Sequence, residues 1–349
     1  MDAISALVAG DEFTTSEMFS DGLRAATADR AFEIHSVDSA WPREPFGPVA
    51  EVIEASDNED AIIAAVGECR IALTQLAPFT ERVLQSAPHL EWIGVSRGGP
   101  VNVNLDAATR LGIRVSFAPG RNAVAAAEYA IALMLASIRP IIAADRDLHD
   151  GVWRGDYYRY EQSGSEIAGS TVGLVGYGAI GTIVGRILRA MDAHVLVHDP
   201  YCDPERARAD GVELVELDEL LGRCRILSLH ARLTPDTHHL LDAARLSLVP
   251  RGAVLVNTAR GELVDSAIIP ALLESGQLSA VALDVYEEEP LPSASPLLAA
   301  HGLIATPHLA GATRETAHRA ISRIVAEAAR FLEGRPLENL ANPEVLARP

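Results

Sequence analysis

Residues 171–181, TVGLVGYGAIG, constrain the fold of this chain more than any other stretch. Five mostly apolar residues, Thr171 to Val175, run into Gly176, Gly178 and Gly181 and then into TIVGRILRAM, which has helical character. The pattern predicts a strand, a tight turn and a helix packed back on the strand. Each glycine answers a different demand: Gly176 allows the sharp turn, Gly178 clears backbone for an approaching anion, and Gly181 permits close contact of helix and strand. The helix N-terminus directs free N–H groups and a partial positive charge at that anion. A second strand, AHVLVH, ends at Asp199, about twenty residues past the glycines, where a carboxylate accepts hydrogen bonds from a ribose. Together these features predict a dinucleotide site. Asp199 favours NAD over NADP because it repels a ribose phosphate, although Arg206 and Arg208 lie close by in sequence.

The totals set outer bounds. A chain of 349 residues with 48% hydrophobic and 5% aromatic residues suits two aliphatic-rich α/β domains. A net charge of −19 argues against nucleic acid or an anionic membrane surface as partner. All 29 basic residues are arginine, so no side chain can form a Schiff base or act as a lysine general base. Cys69, Cys202 and Cys224 form no CxxC pair and read as reduced structural thiols of a cytoplasmic protein, with no metal site expected. The start, from Met1 and Asp2 to Asp11 and Glu12, lacks the basic region and the apolar core of a signal peptide. The longest apolar run, residues 123–138, is interrupted by Glu128, is shorter than the roughly 20 residues that span a bilayer, and reads as a buried helix capped by Asn122.

Two strand-and-helix alternations follow one another along the chain. In the first, ISALVA (4–9), FEIHSV (32–37), RIALTQL (70–76) and LEWIGVS (90–96) read as strands, with helices near 15–26, 58–67 and 80–86. A glycine- and asparagine-rich connection around a short helix leads to the apolar run. Residues 140–170 read as a second connection, with Trp153 and the tyrosines covering its apolar side. Six strands are expected from 171 onward, at TVGLVG, AHVLVH, RILSLH, AVLVNT, AVALDV and GLIATP. A last helix from about Thr313 places Ala317, Ala320, Ile321, Ile324, Val325, Ala328, Phe331 and Leu332 on one face, which predicts packing against the first sheet. The fold class is therefore α/β with two doubly wound parallel-sheet domains, a Rossmann NAD-binding domain and a smaller flavodoxin-like one. The expected boundaries are 1–118 with 309–349 for the smaller domain, to which the last helix returns, and 119–308 for the NAD-binding domain.

Ligands of open parallel sheets sit beyond the carboxyl ends of the strands. Three polar clusters are expected there: NTARGELVD with Arg260, LDVYEEEP with Asp284 and Glu289, and ATPHLAG with His308. Arg260 can hold a substrate carboxylate through two hydrogen bonds while polarising the neighbouring C2 oxygen. His308 can take the C2 hydroxyl proton or return it, and Glu289 beside it would orient the ring and favour its protonated form. Asp284 is placed to bond a nicotinamide amide, and His230, at a strand end facing the cofactor, is a candidate contact.

These motifs, LVGYGAIG with Asp199, LHARLTPDTHHLL, LVNTARGELVD, ALDVYEEEPL and ATPHLAGAT, resemble segment by segment the D-isomer-specific 2-hydroxyacid dehydrogenase family, over about residues 48 to 335. The resemblance implies Arg260, Glu289 and His308 as the catalytic set. It implies cofactor contacts from Gly176, Tyr177, Gly178, Ala179, Ile180, Gly181, Asp199, His230, Thr234, Thr258, Ala259, Asp284 and His308. It further implies NAD as cofactor, a small (R)-2-hydroxy acid or its 2-oxo counterpart as substrate, a homodimer built through the nucleotide domains, a discontinuous substrate-binding domain made of the N-terminal part and the last helix, and a hinge between domains that closes on ligand. The family also contains corepressors that sense NAD(H) and act through partners, which keeps an interaction protein as the alternative to an enzyme. Glu289 stands where formate dehydrogenases of the family carry glutamine, so formate is not the expected substrate. One departure falls in the substrate loop, where RGGPVNVN includes Pro100, which has no N–H to offer. Arg97, Gly98, Gly99, Val101 and Asn102 remain as substrate contacts there, and Arg97 either reads a polar or acidic substrate or pairs with an acid behind the loop. A second departure places Arg232 where the family more often has proline.

Overall fold

The computed structural model describes residues 3–56 and 58–347, so the Met1–Asp2 start lies outside the described residues. The chain divides into two compact units, one made of Met1–Asn122 with Ala312–Pro349 and the other of Ala123–Gly311.

The first unit is built on strands β1 (Ile4–Asp11), β2 (Phe32–Ser39), β3 (Ile71–Thr74), β4 (Trp92–Val95) and β5 (Arg114–Phe117). They pair in the order β2-β1-β3-β4-β5, all parallel, which is the flavodoxin-like order. The central strands are apolar throughout because both sheet faces are covered. On one face Leu7, Ile93, Val95 and Val115 meet Ile62, Val66, Phe79 and Val83. On the other, Ala6, Val8, Ile71, Leu73 and Trp92 meet Phe19, Leu23 and the helix Arg314–Leu332. Thr313 caps that helix by accepting the Thr316 N–H at 3.1 Å, and the predicted apolar stripe is buried against this sheet. Gly94 makes the approach possible, since a Cβ there would lie 2.7 Å from Ile324.

The second unit carries β6 (Thr171–Val175), β7 (His194–His198), β8 (Glu213–Leu214), β9 (Ile226–Leu229), β10 (Ala253–Asn257), β11 (Leu278–Leu283) and β12 (Leu303–Ala305). Their order is β12-β11-β10-β9-β6-β7-β8, again all parallel. The order reverses between β6 and β9, so the glycine loop after β6 opens at the switch point, where such sheets bind ligands. The apolar run forms the helix Ala123–Ile138, and eight of its residues, from Ala123 to Met134, are buried. No single helix among the described residues is long and apolar enough to cross a membrane.

Each sheet has one strand more than expected. β5 lies inside the presumed connection, where a four-residue strand opening on exposed Arg114 shows too little alternation to be read. β8 is a two-residue edge strand. The expected cover of residues 140–170 is also corrected: Trp153 is 84% exposed and Tyr158 96%, so these rings cover nothing within the unit.

Candidate active site

The glycine loop is built as its sequence requires. Gly176 adopts φ 96°, and a Cβ there would fall 2.6–2.8 Å from the backbone of His230 and Ala231. A Cβ on Gly181 would lie 2.3 Å from the Gly176 carbonyl oxygen, whereas Gly178 faces open space. Gly178 is the N-cap of the helix Ala179–Ala190 and supplies no side-chain acceptor, so the first-turn N–H groups around Ala179 and Ile180 stay free for an anion. Asp199, at the end of β7, accepts the Tyr177 N–H at 2.7 Å and the Tyr201 N–H at 2.9 Å, which ties it to the loop. The Tyr177 ring is buried, with the Arg206 guanidinium 5.9 Å above it and the hydroxyl 3.2 Å from Asp210.

Across the switch point, His230 Nε2 lies 3.0 Å from Ser228 Oγ. Its Nδ1 is buried without a partner, as is Thr258 Oγ1 after β10. Burial pushes the His230 imidazole down to about 4, so it stays neutral at physiological pH. Thr234 sits in an exposed turn, its N–H donating to Thr237 Oγ1 at 2.7 Å. An open helix N-terminus, a glycine cradle and two orphaned buried polar atoms fit a dinucleotide.

The catalytic candidates stand on the next turns along the same edge. After β10, buried Asn257 accepts the Ala259 N–H at 3.0 Å and donates to the Arg260 carbonyl at 2.7 Å, which folds the turn and leaves the Arg260 side chain exposed. Gly261 lets this turn meet the segment after β11, since a Cβ there would fall 2.0 Å from the Tyr286 carbonyl carbon and 2.4 Å from the Glu287 nitrogen. On that segment the Tyr286 N–H donates to Glu289 Oε1 at 3.0 Å, and Glu289 Oε2 lies 2.8 Å from His308 Nδ1.

His308 adopts φ 54°, a left-handed conformation uncommon for a residue with a side chain. Asp284 holds it there. The Asp284 carbonyl accepts the His308 N–H at 2.8 Å, while its carboxylate accepts Thr306 Oγ1 at 2.7 Å and the N–H groups of Leu309 and Ala310 at 2.9 and 2.8 Å. This fully buried carboxylate is therefore a clamp on the His308 loop, a use that its place in the sequence did not reveal. The hydrogen bond that His308 donates to Glu289 holds the imidazole above its ordinary range, against the opposing effects of burial and of the Arg260 charge. Burial pushes the Glu289 carboxyl up, but the bonds from His308 and Tyr286, with the charges of His308 and Arg260, outweigh it and leave it lowered.

In the first unit, Gly98 and Gly99 face open space. Arg97 pairs with Glu54, and Asn102 is wholly buried, its amide donating to the Ala77 carbonyl at 2.8 Å. Of the two readings of Arg97, pairing with an acid is the one seen. The Asn102 amide nitrogen ties the loop to the Ala77 carbonyl from inside, while its Oδ1 is buried without a partner among the described residues.

The profile of the NAD-binding domain of the D-isomer-specific 2-hydroxyacid dehydrogenases matches residues 131–310. A D-3-phosphoglycerate dehydrogenase of Mycobacterium tuberculosis is 40% identical over 275 residues, covering 78% of this chain and 51% of that protein. The chain thus spans about half the length of the phosphoglycerate dehydrogenases it matches. A glyoxylate reductase of Aeropyrum pernix is 32% identical over 341 residues, covering 96% of each chain. Among solved structures, the apo D-lactate dehydrogenase of Escherichia coli superposes with a TM-score of 0.75 at 27% identity, covering 97% of this chain and all of that one. The chain is a two-unit α/β protein with an NAD-binding edge. It belongs to the D-isomer-specific 2-hydroxyacid dehydrogenase family.

Proposed function

We propose that the protein is an NAD-dependent oxidoreductase that interconverts a small (R)-2-hydroxy acid and its 2-oxo acid, with His308 as general acid and base. The 2.8 Å His308–Glu289 pair at the carboxyl edge of the NAD-binding sheet carries this reading. When bound, the cofactor supplies the hydride acceptor for oxidation, or the donor for reduction. Glu289 engages Nδ1, which orients the ring, leaves Nε2 to exchange the proton with the C2 oxygen, and favours the imidazolium that forms as the hydroxyl is deprotonated. Arg260, exposed and without an acidic partner in its turn, holds the substrate carboxylate and polarises the C2 oxygen. Asp284 acts through His308 and is a positioning residue. The glycine loop and the helix Ala179–Ala190 receive the pyrophosphate, Asp199 the ribose, and His230 and Thr258 the nicotinamide side.

A homodimer through the nucleotide unit fits the exposed strip of Ile141, Leu148, Trp153, Tyr158 and Tyr160, which a second copy would cover. Sedimentation gives its mass directly.

The test of function is NADH-dependent reduction of glyoxylate, pyruvate and hydroxypyruvate. Arg260→Ala and His308→Ala should each lower kcat/KM at least about 100-fold while NADH binding persists. Near wild-type turnover in either variant would refute the assignment.

A further inference from the structure

Three loops at the carboxyl edge of the NAD-binding sheet meet at one carboxylate that no step above uses. The first leaves β9 at His230 and ends at His239. Thr237 knits it, since its Oγ1 accepts the Thr234 N–H and donates to the Arg232 carbonyl, both at 2.7 Å. The second is the Arg260 turn, which runs through Gly261–Leu263 to the short turn Ser266–Ile268. The third follows β11 and carries Glu287 two residues before Glu289. Glu287 Oε1 accepts both the N–H and the hydroxyl of Ser266, at 2.9 and 2.6 Å, and Oε2 lies 3.1 Å from His239 Nε2.

Backbone bonds join the first two loops to each other. The His239 N–H donates to the Glu262 carbonyl at 2.7 Å, the Leu241 N–H to the Leu263 carbonyl at 3.0 Å, and the Asp265 N–H to the Leu241 carbonyl at 3.1 Å. Glu287 ties that joined piece to the third loop. The close approach at Gly261 brings the backbones together, and the directional bonds to Ser266 and His239 fix how they lie. His239 sits at the left-handed φ of 47°, with the His238 ring stacked on its own at a centroid distance of 4.1 Å. Burial pushes the Glu287 carboxyl up, but the bonds from Ser266 and His239 outweigh it and leave it lowered, so both oxygens accept at neutral pH. The Glu287 side chain is 32% exposed, and an ion pair in such a place adds little to stability. Its contribution is geometry.

We infer that Glu287 is a positioning residue, one that sets where the Arg260 turn and the loop from His230 to His239 stand relative to the Glu289–His308 pair. The inference rests on the roles proposed above for Arg260 and His308. One carboxylate oxygen serves the substrate side through Ser266, and the other serves the cofactor side through His239.

Hydrogen exchange, NADH titration and steady-state kinetics on the full chain test it together. Glu287→Ala should lower kcat/KM for the 2-oxo acid at least about tenfold, because a displacement of about 1 Å between cooperating groups can cost about 100-fold. The unfolding midpoint should fall by only about 1–4 °C. Amide exchange should quicken in residues 258–268 and 232–241 and not elsewhere. The two oxygens separate in the kinetics. Ser266→Ala should raise KM for the 2-oxo acid severalfold and leave NADH affinity as it is. His239→Asn keeps a residue that tolerates a left-handed φ, but its shorter side chain does not reach Glu287, and it should raise KM for NADH more than it lowers kcat. Glu287→Gln still offers an oxygen to Ser266 and should recover most of the kcat/KM lost in Glu287→Ala. If Glu287→Ala does not fold, the other three variants carry the test. Wild-type kcat/KM in Glu287→Ala, unchanged exchange in residues 258–268, or the same KM changes in Ser266→Ala and His239→Asn would overturn the inference. Arg260→Ala with wild-type turnover overturns the proposed function alone, since exchange and NADH affinity still report on the Glu287 bonds.

Discussion

Gly261→Ala tests the contact on which the candidate site depends. The added Cβ would sit 2.0 Å from the Tyr286 carbonyl carbon, 2.2 Å from its oxygen and 2.4 Å from the Glu287 nitrogen. All three are backbone atoms, so no side chain can swing aside. Ordinary carbon contacts lie at about 3.5 Å or more, and the Arg260 turn must separate from the segment leading to Glu289 by about 1.5 Å. Overpacking of this kind costs about 1–3 kcal/mol. In a unit of this size that lowers the unfolding midpoint by roughly 2–12 °C. The effect on catalysis should be larger than the effect on folding, because a misplacement of about 1 Å between groups that act together can cost about 100-fold in rate. Calorimetry gives the first quantity, and steady-state reduction of a 2-oxo acid at a temperature where the variant is folded gives the second. Gly222→Ala, in the helix Leu217–Arg223 with open space where its Cβ would go, is the control and should stabilise by about 0.5–1 kcal/mol. A Gly261→Ala enzyme with wild-type kcat/KM would refute the view that this contact sets the spacing of Arg260 and Glu289.

Two further substitutions separate proton chemistry from positioning. Glu289 raises the pKa of His308, so the proton-donating form persists to higher pH than in a free imidazole, and reductive kcat/KM should fall as pH rises through that raised value. Glu289→Gln should move the fall to lower pH, and move the rise of the oxidative reaction the same way; an unshifted pH–rate profile would refute the pairing. The sign for stability follows from both shifts: the pair contributes fully below the ordinary histidine value of about 6.5 while Glu289 stays ionised, loses that contribution as pH rises through the raised His308 value, and loses it again as pH falls through the lowered Glu289 value. Asp284→Asn turns an amide donor toward an N–H or a hydroxyl of the His308 loop, leaving a buried donor unpaired at a cost of about 1–3 kcal/mol. Because His308 is held at a left-handed φ by this carboxylate, kcat should fall while NADH affinity changes little, and a variant with unchanged kcat would show that the loop holds itself.

The features that repeat along the chain could be read before the structure, and those that depend on one contact in space could not. The glycine loop, Asp199 and the apolar stripe of the last helix were legible because turn geometry and helical period leave a local mark. Glu327 on that helix left none: it counts as a charge, yet it is buried, accepting Ser116 Oγ at 3.1 Å, the Glu338 N–H at 3.1 Å and the Asn339 amide at 3.2 Å. β5 and β8 escaped because strands of four and two residues carry almost no periodicity. Trp153 and Tyr158 were misplaced because an aromatic residue announces burial without saying against what.

Asp284 shows how far the distinction reaches into the site. Its position after an apolar strand marked it as a ligand contact, and the sequence holds no sign that three donors of a loop some twenty residues later would close on it. The consequence is mechanical. A backbone held at φ 54° for His308 is unfavourable alone, and it persists because a buried carboxylate and its own carbonyl over-determine the loop from Thr306 to Ala310. With the loop fixed from below and Glu289 fixing the ring from the side, the imidazole keeps little freedom except to exchange a proton. Glu289 acts on the proton and Asp284 on the loop, so a double variant of the two should lose less than the sum of the single losses, and strict additivity would mean that they act on His308 independently.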